Sequence, residues 1–278
     1  MNRKSYLLLM SPGLVLLLFF LVAPIIKILT TTVITPQGLS LSNYTKFFRD
    51  SYYMAIFVRT LKIAIVTTLF CALLGIPTAY FISLCGAQKK KILLSVSVFP
   101  LLTNSVIRSF AWINILGKNG VVNSLLLQLH LIKSPLNLLY TDFSITMGLI
   151  YLFLPLMIIS LVGVMDNIDP SFMEAAESMG ANRVRAFMKV IFPLSLSGII
   201  VGSVLVFTGS LTAYTTPQLL GGNKHLVMST FIYQKAMTIG DWTGASVIAT
   251  VMIITTIIVI KLLNMLATKL DRREKDGN

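Results

Sequence analysis

The sequence predicts an all-α, polytopic membrane protein of about six transmembrane helices, and three observations carry that expectation. Hydrophobic residues make up 55% of the 278-residue chain and charged residues only 12%, with a mean hydropathy of +0.83; ordinary globular domains are about 45–50% apolar. The apolar residues gather into runs of membrane length, since a helix needs roughly 20 residues to cross the hydrocarbon. The basic residues, which give a formal charge of +13, cluster in short segments at the ends of those runs.

The first span, about 6–29, follows Asn2-Arg3-Lys4. Its charge order is that of a signal peptide, but signal cores run about 7–15 residues and end at a small-residue cleavage site. Ile25-Ile26-Lys27-Ile28-Leu29 offers none, so the span reads as uncleaved. Further spans fall at about 60–84, 92–116, 142–165, 190–215 and 244–267. The longer connections are 30–59, with Pro36-Gln37-Gly38 and Asn43-Tyr44; 117–141; and 216–243, with Gly221-Gly222-Asn223. Turn residues mark them as loops, although Val121, Leu125, Leu126 and Leu127 suit a short interfacial helix. The opposite side carries Lys89, Lys90 and Lys91, then Arg183, Arg185 and Lys189, then Lys269, Arg272, Arg273 and Lys275 in the tail. The positive-inside rule puts this side, and with an even number of crossings both termini, in the cytoplasm. The whole chain, 1–278, reads as a single transmembrane domain.

Pro24, Pro77, Pro100, Pro155 and Pro193 stand inside spans, as packing kinks or as bends around a solute path. Cys71 and Cys85 have neither metal-ligand spacing nor a pairing partner in an exposed loop, and read as packing residues.

The loop 166–190 writes out a short helix with punctuation at both ends. Asp169 is a good N-cap, Pro170 suits the first helical position, and Gly180 suits the left-handed residue that closes it. Phe172, Ala176 and Met179 stand at i, i+4 and i+7 as one apolar stripe, with Glu174 and Glu177 on other faces. Ala175, Ala176 and Gly180 leave little bulk, so a partner could approach the backbone closely. A second helix starts near Asn182 and carries Arg183, Arg185 and Lys189 toward Ile191-Phe192-Pro193. On the residues alone two readings stand: an amphipathic helix resting on the inner leaflet, and a helix that docks on a partner.

The run Glu174-Ala175-Ala176, then Gly180, then Ile191-Phe192-Pro193 resembles the "EAA" signature of ABC-importer permeases. Asn104-Ser105-Val106-Ile107-Arg108-Ser109-Phe110-Ala111-Trp112, Gly120-Val121-Val122-Asn123, Leu154-Pro155-Leu156-Met157, Pro217-Gln218-Leu219-Leu220-Gly221-Gly222 and Gly240-Asp241-Trp242 look like spermidine/putrescine permeases of that family. The resemblance covers most of the chain from about residue 60. It implies the type I ABC-importer permease fold in a bacterial cytoplasmic (inner) membrane. It implies as partners a second permease subunit in a heterodimer, two cytoplasmic ABC ATPase subunits and an extracytoplasmic solute-binding protein. ATP and Mg would be bound by the ATPase subunits, with no cofactor in this chain. Phe172, Met173, Glu174, Ala175, Ala176, Met179, Gly180, Ala181 and Arg183 would form the contact that couples to the ATPase. The implied solute is small and polar, a polyamine first and another polar or anionic solute second.

Other classes lack their chemistry. No Gly-x-x-x-x-Gly-Lys-Ser/Thr occurs, so ATP hydrolysis falls to another chain, and no HExxH, GxSxG or Cys/His cluster suggests an enzyme. His130 and His225 lie far apart in outer loops and read as solvated. The basic clusters have no folded surface between them to grip nucleic acid. An ion-coupled secondary transporter needs ionisable groups within its spans, whereas all ten acids, Asp50, Asp142, Asp166, Asp169, Glu174, Glu177, Asp241, Asp271, Glu274 and Asp276, lie in loops, tails or span ends. A polyamine would need carboxylates, oxygens or aromatic faces on its way. The path candidates are therefore Asp142 and Asp241 at outer span ends, Trp112, Tyr151 and Tyr214 as ring faces, and Asn104 with Thr208, Ser210 and Thr212 as oxygens. Arg108 joins them as a group that could repel a cation or bind an anion, with snorkelling to headgroups as its bland reading.

Overall fold

Helices take up nearly all of the computed structural model, which describes residues 3–35 and 38–275. Asn2, Pro36, Gln37 and Asp276 lie outside the described residues, as do the side chains of Arg3, Lys4, Lys269, Asp271, Arg272, Arg273, Glu274 and Lys275. In chain order the helices are α1 (Arg3–Val33), α2 (Ser42–Arg49), α3 (Ser51–Ser83), α4 (Ala87–Leu102), α5 (Ser105–Leu116), α6 (Val121–Gln128) and α7 (Asp142–Met165). They continue with α8 (Ser171–Ser178), α9 (Arg183–Ala186), a π-helical turn Phe187–Ile191, α10 (Phe192–Leu194), α11 (Leu196–Thr212), α12 (Thr215–Gly221), α13 (Met228–Tyr233), a second π turn Gln234–Ile239 and α14 (Trp242–Lys275). Between α1 and α2 a two-stranded antiparallel ribbon pairs Ile34 with Leu39 and Thr35 with Gly38.

Four helices are individually long and apolar enough to cross a membrane: Ser11–Val33, Ser51–Ser83, Asp142–Met165 and Trp242–Met265. Two bent pairs, Ala87–Leu102 with Ser105–Gln128 at 93° and Arg183–Leu194 with Leu196–Thr212 at 67°, bring the number to six when each pair is one span. Expectation and structure part here, because 92–116 and 190–215 are not continuous helices. In the first pair Thr103 and Asn104 are extended, and the Asn104 side chain accepts the N–H groups of Val106 and Ile107 as the cap of α5. In the second, Pro193 has no N–H to give to the helical ladder. The chain widens into a π turn before it and bends at Ser195, whose hydroxyl donates to the Ile191 carbonyl at 2.7 Å.

The chain forms two compact units: the chain through Ala55 with Phe231–Ile254, and Ile56–Thr230 with the segment from Thr255 onward. In the larger unit α7 packs against α11, α4, α12 and α5. Its core gathers Cys71, Ala79, Ile82, Met157, Leu161 and Val206. Met157 fills the space left by two glycines: a Cβ on Gly75 or Gly202 would stand 2.7 or 2.6 Å from its side chain. Small residues thus bring helices together where lipid supplies no hydrophobic drive to do so. Asn123, fully buried, donates to the carbonyls of Gly117 and Leu136 and accepts the Leu136 N–H, which fastens the 117–141 loop around α6.

In the smaller unit the Thr32 hydroxyl meets the Tyr44 hydroxyl at 2.6 Å, and the Asn43 amide donates to the Thr32 carbonyl at 3.1 Å. These bonds hold α2 at the end of α1. Phe47 is buried against Tyr53, and Tyr53 meets Phe231 with ring centroids 4.9 Å apart. The large apolar side chains of α1 from Leu14 to Leu21 are all exposed, as suits a helix that meets lipid or another membrane subunit.

Candidate functional site

The loop after α7 is built as its punctuation requires. Asp169 Oδ1 accepts the Ser171 N–H at 2.9 Å, and the Phe172 and Met173 N–H groups go to the carbonyls of Asp169 and Pro170. The Ser171 backbone N–H, helped by its hydroxyl, holds the Asp169 carboxyl below the ordinary carboxylate range. At the other end Gly180 has φ +85°. Its N–H bonds to the Glu177 carbonyl at 2.9 Å, and the Ala181 N–H to that of Ala176 at 3.2 Å. This pair of bonds is a Schellman closure, which needs a left-handed residue where Gly180 stands. Asn182 Oδ1 then accepts the Arg185 N–H at 2.8 Å and starts α9. Both ends of α8 are therefore fixed by local bonds.

The faces of α8 differ from the expected stripe. Met173 is half-buried and packs on the core with Ile168 and Phe187, and Ala176 follows it one turn on. Because α8 rests on Met173, Phe172 and Met179 turn outward, 54% and 89% exposed, with Glu174 also exposed. Val184, next along, is 73% exposed. The Arg183 guanidinium meets Glu177 at 3.5 Å. Beneath α8 a cavity of about 650 Å3 is lined by Tyr80, Lys90, Asp166, Met173, Glu174 and Phe187. At its margin Lys90 Nζ bonds Asp166 Oδ1 at 2.8 Å, tying the start of α4 to the end of α7.

The expected path residues separate into different roles. Trp112 and Tyr151 do come together, ring centroids 5.9 Å apart in an edge-to-face pair. Asn104 is a helix cap. Arg108 is not a snorkelling side chain: it is 6% exposed and donates to the carbonyls of Pro100 and Thr103 at 2.8 and 3.2 Å, the groups that the break after α4 leaves open. Asp142 is not an isolated acid, since its Oδ1 lies 3.3 Å from Arg59 Nε and 2.6 Å from His225 Nδ1. His225 therefore is not the solvated histidine that the sequence suggests. Asp241 belongs to the smaller unit, where its Oδ1 accepts the Gly244 N–H at 2.8 Å and its Oδ2 meets Lys235 Nζ at 3.2 Å. Burial opposes the charge on Lys235, but hydrogen bonds from its ammonium to Tyr53 and Asp241 outweigh it and hold the group above the ordinary lysine range. Tyr214 is half-buried ahead of α12. Thr67, Thr208 and Ser210 keep buried hydroxyl oxygens with no partner among the described residues, while Thr212 spends its hydroxyl on the Thr208 carbonyl.

Sequence reasoning misses Arg59, Lys90 and Lys235 as partners of Asp142, Asp166 and Asp241. Arg59 and Asp142 carry a usable signal, opposite charges at the outer margins of two apolar runs. Their pairing still needs the fold.

Among known proteins, the family described as "Binding-protein-dependent transport system inner membrane component" matches residues 2–276. The spermidine/putrescine transport system permease protein PotB of Escherichia coli K12 is 31% identical over 246 residues, 86% of this chain and 89% of its own. Its namesake in Haemophilus influenzae is 30% identical over 240 residues, 84% of each chain. A crystal structure of a bacterial alginate ABC transporter, in complex with an alginate pentasaccharide-bound periplasmic protein, contains a chain that superposes with a TM-score of 0.80 at 18% identity, covering 96% of both. That likeness bears on the fold.

Proposed function

The chain belongs to the binding-protein-dependent transport system inner membrane component family, and from that membership we propose that it is the permease subunit through which an ATP-driven importer carries a polyamine inward. Membership makes it a multi-pass permease of the ABC-importer type in a bacterial inner membrane, a transport subunit and not a catalytic one. The finer reading assigns roles around it. A second, non-identical permease completes the pathway, and an extracytoplasmic binding protein delivers the solute. Two cytoplasmic ATPase subunits hold ATP and Mg and grip α8, and both termini face the cytoplasm.

The observation that carries the coupling role is the outer face of α8. Phe172 and Met179 are exposed on one side and Glu174 on another, on a helix fixed at both ends. A helix lying on lipid turns one apolar face to the bilayer; a helix that exposes an aromatic ring and a thioether on one side and a carboxylate on another suits a protein cleft that grips it from more than one side. Closure of the nucleotide-bound ATPase pair would move α8, and with it bias the spans between inward-open and outward-open arrangements. Met173, Ala175, Ala176, Gly180, Ala181 and Arg183 support that face: Met173 seats it, the alanines keep it slim and the glycine closes it. In the assembled importer, Glu174→Ala and Gly180→Ala should each leave membrane insertion intact. Each should weaken ATPase association and cut ATP-driven uptake by about tenfold, a coupling loss within the usual 1–3 kcal/mol. Undiminished uptake in both variants would remove the mechanism.

The polyamine reading is supported by relatives that carry that solute in their names. One observation favours the second reading, a small polar solute without that charge: Asp142 and Asp241 are both already engaged by basic side chains. Titrating the cognate binding protein with spermidine and putrescine decides between them. Binding is expected, and no heat with either amine would select the second.

A further inference from the structure

The transport reading leaves unused a cavity of about 620 Å3 in the smaller unit, between α2 and the first turns of α14. Its depth in the membrane follows from the chain. One apolar run ends at Val33 shortly before α2, and the runs Ser51–Ser83 and Trp242–Met265 begin at the cavity wall. The cavity therefore sits where hydrocarbon gives way to headgroups. Leu39, Leu41, Phe48, Tyr52 and Trp242, from the elements that frame it, are each more than half exposed, as side chains anchored at that interface are.

Four charged side chains line the space: Lys46, Arg49, Asp50 and Asp241. The acids are engaged. Asp50 Oδ1 accepts the N–H groups of Tyr52 and Tyr53 at 2.8 and 3.4 Å, and Asp241 is held by the Gly244 N–H and by Lys235. Lys46 and Arg49 form no ion pair among the described residues. They stand three apart on one face of α2. With Lys235 counted, three cations meet two acids, an excess of one positive charge, and the two cations that open onto the cavity are the ones without an ion-pair partner among the described residues. We infer that this cavity binds the headgroup of an anionic phospholipid, its phosphate between Lys46 and Arg49 and its acyl chains along the apolar fringe of Phe48, Tyr52 and Trp242. A zwitterionic lipid brings its own ammonium to the same two cations and gains less. An acidic patch on a soluble protein would meet the cations but leave that fringe uncovered.

The test uses the full chain reconstituted in vesicles of phosphatidylethanolamine alone, or with an equal part of phosphatidylglycerol. After gentle re-extraction, native mass spectrometry counts the lipid retained. The parent should retain phosphatidylglycerol in preference to phosphatidylethanolamine. Lys46→Gln/Arg49→Gln should lower that preference about twenty-fivefold, roughly fivefold for each basic side chain near an anionic surface. The exposed pair Lys118→Gln/Lys133→Gln should change nothing. Lys46→Arg/Arg49→Lys, which keeps both charges, should retain the lipid, and this separates a lost site from a damaged fold. Equal retention by the parent and the glutamine variant overturns the site, as does equal loss in the Lys118/Lys133 control. Unchanged lipid with lost capture of the solute-binding protein would make the cavity a protein-docking site and overturn the lipid reading.

Discussion

At Gly180 an added Cβ would meet nothing within 4 Å, so replacing the residue costs conformation alone. With φ at +85° that cost is about 1–2 kcal/mol for alanine. It falls on the two bonds that close α8, so a change with no steric effect can still loosen the surface proposed to meet the ATPase. Asp169 acts at the opposite end and gives the loop a dependence on pH. Its folded pKa is depressed, so its contribution to α8 is complete above the ordinary aspartate value of about 3.9 and is lost as pH falls through the lower folded value. Amide hydrogen exchange at Phe172 and Met173, corrected for intrinsic rates, should show steady protection from neutral pH down to about 4 and a decline below it. Asp169→Asn should flatten that decline, and a profile identical to the parent's would deny Asp169 its capping role. Both ends of this helix are legible in the sequence, because caps are local: Asp169, Pro170 and Gly180 act on residues within one turn.

The broken span α4–α5 shows where local reading stops. Hydropathy runs on from Ile92 to Leu116 with little interruption, and the polar cluster Thr103-Asn104-Ser105, capping residue types inside an apolar run, hints at a new helix start. What the break requires is donors for the carbonyls it frees, and Arg108 supplies them from the first turn of α5. An arginine in a span looks functional by default; here its Nη1 serves both backbone carbonyls, while its buried Nε has no partner among the described residues. Arg108→Met keeps the length and removes the donors. The carbonyls of Pro100 and Thr103 then stand unmet in a buried place, at about 1–3 kcal/mol. The thermal midpoint should fall by several degrees while uptake per folded molecule stays near the parent's. An unchanged midpoint with lost uptake would return Arg108 to the solute path. Asp142 has the same lesson at longer range, because its partner His225 is 83 residues away and Arg59 on another helix. A carboxylate at a span end carries no mark of whether its charge is free.

Across the whole molecule the number of crossings decides which loops share a side, and the bent pairs make that number a matter of geometry as well as hydropathy. Four helices cross by length alone, and α4–α6 and α9–α11 must each traverse the bilayer to make six. Re-entry of either pair would put the loops on its two sides in one compartment. The charge distribution favours traversal, with Lys89, Lys90 and Lys91 at the start of the first pair and Arg183, Arg185 and Lys189 at the start of the second. Single cysteines can report this in a Cys85→Ser background, since Cys71 is fully buried within a span. Lys133→Cys, after the first pair, and Lys224→Cys, after the second, should react with a membrane-impermeant thiol reagent applied to right-side-out vesicles. Lys89→Cys and Met179→Cys should react only once the membrane is opened. If Lys133→Cys were labelled only together with Lys89→Cys, the 93° bend would mark a re-entrant loop, and α8 would sit opposite the compartment that holds ATP. Labelling of Met179→Cys from outside in intact vesicles would exclude the coupling role as well, because a helix on that side cannot meet a cytoplasmic ATPase.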